Sequence, residues 1–102
     1  MHIQFSYKNV TEKDKKFLEN YIDQKTERIA KLLSQQDFSN AHFEIRVEKF
    51  AKKEAYKCET RLDFPGQNFM ASEDDHTVIE AFDLALDKLI IQLRKHKEEL
   101  KK

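Results

Sequence analysis

A chain of 102 residues with 19 Lys or Arg and 19 Asp or Glu has room for one domain and one core, and its formal charge of zero excludes a uniform polycation. Eight Phe and three Tyr supply bulky anchors that a disordered tail lacks, so the chain is expected to fold. The single cysteine, Cys58, excludes an internal disulfide, and neither a run near ~18 apolar residues nor a charged-then-apolar leader is present, which points to a cytoplasmic protein without a membrane span.

His2 to Tyr7 alternates, with Ile3, Phe5 and Tyr7 on one side and His2, Gln4 and Ser6 on the other, the pattern of a half-buried strand. Thr11 with Asp14 three residues on opens a helical run expected to reach about Gln36, with apolar positions Leu18, Ile22, Ile29, Leu32 and Leu33. Alternation returns from Ala41 to Lys49, where Phe43, Ile45 and Val47 oppose His42, Glu44, Arg46 and Glu48. It returns again from Tyr56 to Phe64, with Tyr56, Cys58, Thr60, Leu62 and Phe64 inward. Pro65-Gly66, the only proline and the only glycine, sit where a type II turn places them and mark a hairpin into a short strand, Gln67 to Ser72. Thr77 and Glu80 form a capping box ahead of a helix carrying Val78, Phe82, Leu86, Leu89, Ile90 and Leu93.

Outward residues on the two longer central strands mix both charge signs, so one sheet face is expected to be wet and both helices to cover the other. A crossover through the first helix then lays the first strand parallel to a neighbour. The expected fold is a single α+β domain over residues 1–102, a two-layer β-α-β-β-β-α arrangement with a four-stranded mixed sheet and both helices on one face.

Zero net charge conceals a dipole: residues 73–86 carry five acids and no base, whereas residues 87–102 carry six Lys or Arg against three acids. Acids at the start and bases at the end of a helix complement its macrodipole, and the same basic end also reads as an electrostatic footprint for an anionic partner. In the first helix Lys25 falls where the spacing of Leu18, Ile22 and Ile29 asks for an apolar residue, and Arg28 follows it. Two readings stand for Lys25. Its stem can lie along apolar surface with the ammonium in water, or Lys25 and Arg28 can line a groove opposite Lys88 and Lys95 and hold phosphates.

The ending DKLIIQLRKHKEEL resembles the closing helix of short ribosome hibernation promoting factors and the related ribosome-associated inhibitor, the sigma-54 modulation protein family, in which a D-K-L-x-x-Q-L-x-K-H-K pattern recurs. Ala71-Ser72 is similar to the family's A-S dipeptide, Ala81-Phe82-Asp83 falls at its A-I-D, and Lys25 to Ile29 resembles its K-L-x-K-L segment. The resemblance covers nearly the whole chain and implies a fold similar in outline to double-stranded-RNA-binding domains. It further implies a cytoplasmic, non-catalytic factor, without cofactor or metal and monomeric when free, that binds the messenger and transfer RNA channel of the small ribosomal subunit. There it silences translation in stress or stationary phase. On that basis Lys25, Arg28, Lys88, Arg94 and Lys95 contact ribosomal RNA phosphates, with Gln92 a polar neighbour and Lys31, His96 and Lys97 further contributors. The alternative is a non-ribosomal module on the same fold that binds structured RNA or a protein.

Two departures stand out. The family's D-M-Y is Thr77-Val78-Ile79 here, which removes an aromatic, and Glu73-Asp74-Asp75 is more acidic than a phosphate surface favours, so that end is expected to face away from RNA or toward a basic protein. The chain ends directly after the helix, as in the short form of the family, so pairing of ribosomes through a second domain is not expected of it. Cys58 reads as a small buried hydrophobe, and the four histidines show no metal-ligand spacing with it. Phe50 with Lys49, Lys52 and Lys53 in the hairpin loop is either a solvated loop or a second contact surface.

Overall fold

A computed structural model describes residues 1–100. Its elements are β1 (His2–Lys8), α1 (Glu12–Ile22), α2 (Thr26–Ala30), α3 (Gln35–Ser39), β2 (His42–Lys49), β3 (Tyr56–Phe64), β4 (Gln67–Asp75) and α4 (Val78–Leu100). The four strands lie in the order β1-β2-β3-β4. β1 runs parallel to β2, and the remaining pairs are antiparallel. The expected two-layer α+β architecture with a mixed sheet is the one observed.

β1, β2 and β3 show the anticipated alternation. Phe43, Ile45, Val47, Cys58, Thr60 and Leu62 are buried on the helix side. Cross-strand neighbours on the other face alternate in sign, as in the row Lys8, Glu48, Lys57, Asp74. Such pairs are favourable when opposite charges face one another, and here they leave the wet face nearly balanced. Pro65 and Gly66 make the β3–β4 turn, with Gly66 at φ 82°, a left-handed value that glycine accepts without a Cβ penalty.

Two segments differ from the sequence expectation. The helix expected from Thr11 to about Gln36 is three shorter ones. Thr11 caps α1 through its side chain, which accepts from the Asp14 N–H at 3.2 Å, but after Ile22 the hydrogen bonds tighten from i−4 to i−3: Gln24 N–H to Tyr21 O and Lys25 N–H to Ile22 O. The Thr26 hydroxyl donates back to the Asp23 carbonyl at 3.3 Å, the local competition that makes Thr a weak residue inside helices. Ser34 then starts α3 with its own cap, accepting from the Asp37 N–H. The second difference is β4, which continues past Ser72 through Glu73, Asp74 and Asp75. These acids stay in the sheet because Cys58, Lys57 and Tyr56 of β3 pair with them.

α4 places Val78, Phe82, Leu86, Leu89, Ile90 and Leu93, the apolar positions anticipated for it, in the core together with Ala81 and Ala85. Thr77 caps it by accepting from the Glu80 N–H at 3.1 Å. Beyond Leu93 the helix runs on to Leu100 without another buried residue, a projection that lengthens the molecule to 47 × 21 × 20 Å. No helix among the described residues is long and apolar enough to cross a membrane.

The core withholds several groups from ionisation. Cys58 is fully buried, and burial first, with the Glu59 carboxylate second, pushes its thiol up to about 12, so it is an inert packing residue at neutral pH. Burial also raises the hydroxyls of Tyr7, Tyr21 and Tyr56, each further held neutral by donating to a carboxylate, respectively Glu19, Asp83 and Asp14. The neutral forms are favoured in the fold, so their stabilisation is complete below the unfolded-chain values, about 8.5 for Cys and about 10 for Tyr, and is lost as pH rises beyond them. Thermal melts followed by circular dichroism are expected to give a midpoint that falls from about pH 9 upward. Cys58→Ala is expected to flatten the early part of that fall, since each pH unit in which only the unfolded thiol ionises costs about 1.4 kcal/mol. An unchanged alkaline slope in Cys58→Ala removes the thiol from this account.

Candidate nucleic-acid interface

The first helical segment and α4 lie side by side and run in the same direction. Phe17 shares a cleft with Val78 and Ile79, the Tyr21 hydroxyl donates to both Asp83 carboxylate oxygens at 2.9 and 2.8 Å, and the Arg28 guanidinium meets Asp87 at 2.8 Å. The Tyr21 ring stands edge-on to Phe82 with centroids 6.2 Å apart, tying this seam to the core. Of the six residues singled out for RNA contact, Lys25 lies after α1, Arg28 on α2, and Lys88, Gln92, Arg94 and Lys95 on α4.

Lys25 lies in the turn between α1 and α2 rather than inside a helix, half-buried, with Nζ 5.2 Å from the centroid of the Tyr21 ring. An aromatic face one helical turn back attracts the ammonium and accounts for a charge at a position that an unbroken helix would keep apolar. Arg28 is committed to Asp87. Lys88 does not face Arg28 across a groove; it leans to the opposite flank of α4, where it forms an ion pair with Glu73 of β4. The Lys88 ammonium in turn holds the Glu73 carboxyl below the usual carboxylate range.

Lys88, Gln92 and His96 are spaced four apart on one helix face and follow the β4 edge in sequence. The Gln92 side-chain amide donates to the Met70 carbonyl at 2.9 Å, and the His96 ring stands against Phe69 with centroids 5.4 Å apart. Gln92 therefore covers a carbonyl of the edge strand, a group otherwise open to pairing with another chain. Arg94 and Lys95 differ from all of these. Both are exposed on the projecting end of α4 and form no ion pair among the described residues, and Lys97 is exposed beside them. Lys31 is exposed on the other helical segment. Lys101 and Lys102, which contribute to the basic end of the sequence, lie outside the described residues.

Three features of this surface escaped the sequence reading. Asp87 and Glu73 neutralise two of its cations, and the Tyr21–Asp83 hydrogen bond joins its halves. Of the acidic run after Ser72, expected to face away from RNA or toward a basic protein, Glu73 pairs with the cation Lys88 of α4. The D-K dipeptide at Asp87-Lys88 carried a signal of mixed charge, but the partner of each residue comes from elsewhere in the chain. The wet sheet face offers no comparable excess, because Lys8, Arg46, Lys57 and Arg61 are interspersed with Glu44, Glu48, Glu59, Asp63 and Asp74. Among the described residues no group of three or more His, Cys, Asp or Glu can hold a metal ion.

The fold has close counterparts among solved structures. The N-terminal domain of Protein Y from Thermus thermophilus superposes with a TM-score of 0.70 at 20% identity, over 94% of this chain and 99% of that one. A ribosomal subunit interface protein from Coxiella burnetii gives 0.67 at 19% identity, over 96% and 99%. A search of curated proteins finds no significant match. Residues 3–101 match the family model described as sigma 54 modulation protein / S30EA ribosomal protein. The pattern shared with that family runs from the first strand to the end of α4, and the chain belongs to the sigma 54 modulation protein / S30EA ribosomal protein family.

Proposed function

We propose that this chain binds the small ribosomal subunit in its messenger and transfer RNA channel, through ribosomal RNA phosphates, and silences translation during nutrient limitation or stationary phase. It acts there as a cytoplasmic, non-catalytic factor. Membership of the family across residues 3–101 carries this reading, and the name of the Coxiella burnetii structure, a ribosomal subunit interface protein, agrees with it. The helix face supplies a physical means: Lys25, Arg28, Lys88, Arg94 and Lys95 lie on the helical layer or its projecting end, whereas the sheet face is self-neutralised. Cations that contact phosphates release counterions, so binding is expected to weaken steeply with salt.

The deciding experiment is a sucrose gradient of stationary-phase lysate probed for this protein, followed by co-sedimentation of purified protein with small subunits. The native chain is expected to travel with small subunits at low salt, and a variant with Lys25, Arg28, Lys88 and Lys95 neutralised is expected to remain near the top. A native protein that stays at the top refutes the ribosomal reading, and unchanged binding by the quadruple variant removes this surface from it. Equal affinity for an isolated RNA duplex or another protein favours a general binding module on the same fold.

A further inference from the structure

Two cations of the helix face are already occupied by anions of the same chain. Asp87 of α4 meets Arg28, and Glu73 of β4 meets Lys88, so the acids arrive from different elements and on different flanks of α4. All four side chains are partly exposed. Exposed ion pairs contribute little to stability, so the fold does not depend on them. A carboxylate nevertheless offers guanidinium or ammonium the same kind of oxygen acceptor as a phosphate. A polyanion that uses Arg28 or Lys88 competes with Asp87 or Glu73 for it.

We propose that Glu73 and Asp87 are internal phosphate mimics that hold Lys88 and Arg28 in reserve, so that a poorly matched polyanion meets only the uncommitted cations. This inference rests on the helix face being the RNA-binding surface. Specificity is a difference of affinities, and a built-in competitor enlarges it by penalising partners that reach only part of the surface. Arg94 and Lys95 make the first contact with any anion. A correctly shaped RNA that also places phosphates over α2 and the β4 edge exchanges them for the two carboxylates and gains two further contacts.

The test compares two double variants of the full chain with the same charge change. Glu73→Gln/Asp87→Asn releases the reserved cations; Glu44→Gln/Glu59→Gln releases Arg46 on the opposite sheet face, where both acids lie against it. Each is measured by co-sedimentation with purified small subunits over a salt series and by elution from a heparin column, with a thermal melt to verify folding. The first variant is expected to bind small subunits about tenfold more tightly at 50 mM salt, with a log–log salt slope steeper by roughly 1.5, while the second stays near the native chain. Equal gains for both variants, or none for the first, overturn the proposal. If no version sediments with subunits but the first variant leaves heparin at higher salt than the second, the ribosomal reading fails and the internal mimics stand; equal elution then overturns them too.

Discussion

Replacing Arg94 and Lys95 together by Ala is expected to weaken binding to small subunits about tenfold at 50 mM salt and to reduce the log–log salt slope by roughly 1.5. These two cations stand on the part of α4 that projects past Leu93, exposed and without an acidic partner among the described residues, so their charge is fully available to an incoming phosphate. Arg28→Ala is expected to cost much less in the native background, because Asp87 already holds that guanidinium and loses its partner at the same time. Pelleting with small subunits through a sucrose cushion between 50 and 200 mM salt gives both quantities. If Arg28→Ala reduces affinity as much as the Arg94/Lys95 double variant, charge availability is not what ranks these residues. Circular dichroism of the double variant should match the native chain, since neither side chain packs in the core.

Local periodicity decides which elements are legible in the sequence, and partners distant in the chain decide which are not. Strands and α4 were legible because each has a buried face with an unambiguous period: Phe43, Ile45 and Val47 against charged neighbours, or Val78, Phe82, Leu86 and Leu89 behind the Thr77 cap. The break after Ile22 was not legible, because the turn residues keep near-helical dihedrals and the buried positions Leu18, Ile22 and Ile29 stay almost in phase through it. The continuation of β4 was hidden for another reason. Glu73, Asp74 and Asp75 are poor strand formers locally, and only the non-local partners on β3 keep them in the sheet.

The candidate surface divides in the same way. That cations concentrate on the closing helix follows from composition, and that Lys25 occupies an anomalous position follows from periodicity. Which cations remain free depends on contacts between distant residues, Arg28 with Asp87 and Lys88 with Glu73, and no local pattern encodes those pairings. Gln92 illustrates the point further. Its place beside Lys88 and Lys95 on a helical projection made it a polar neighbour of phosphates, whereas one amide N–H is spent on the Met70 carbonyl at the sheet edge. Its second amide N–H and its carbonyl oxygen have no partner among the described residues, and that N–H is what it can offer a phosphate.

Phe82→Ala is expected to destabilise the domain by about 3–5 kcal/mol, the largest effect of any single substitution considered for this chain. Phe82 is 0% exposed and lies where α4 meets both the sheet and α1, edge-on to Tyr21. Its removal leaves a cavity that α4 cannot close without moving Leu86 or Leu89, both also fully buried. Small domains are stable by only about 5–15 kcal/mol, so a large fraction of that margin disappears. Urea unfolding should show a lower midpoint with an unchanged slope, because the surface exposed on unfolding scarcely alters. Ile91→Ala on the same helix serves as the contrast: Ile91 is 63% exposed and is expected to change stability by no more than about 0.5 kcal/mol. The consequence also reaches the interface. Phe82 backs the Tyr21 ring, Tyr21 holds Asp83 through its hydroxyl and Lys25 over its face, so loosening Phe82 loosens the alignment of the first helical segment against α4. A Phe82→Leu variant keeps most of the volume and is expected to recover most of the stability while losing the edge-on contact. Equal midpoints for Phe82→Ala and Ile91→Ala would mean that α4 is not packed on the sheet through this residue.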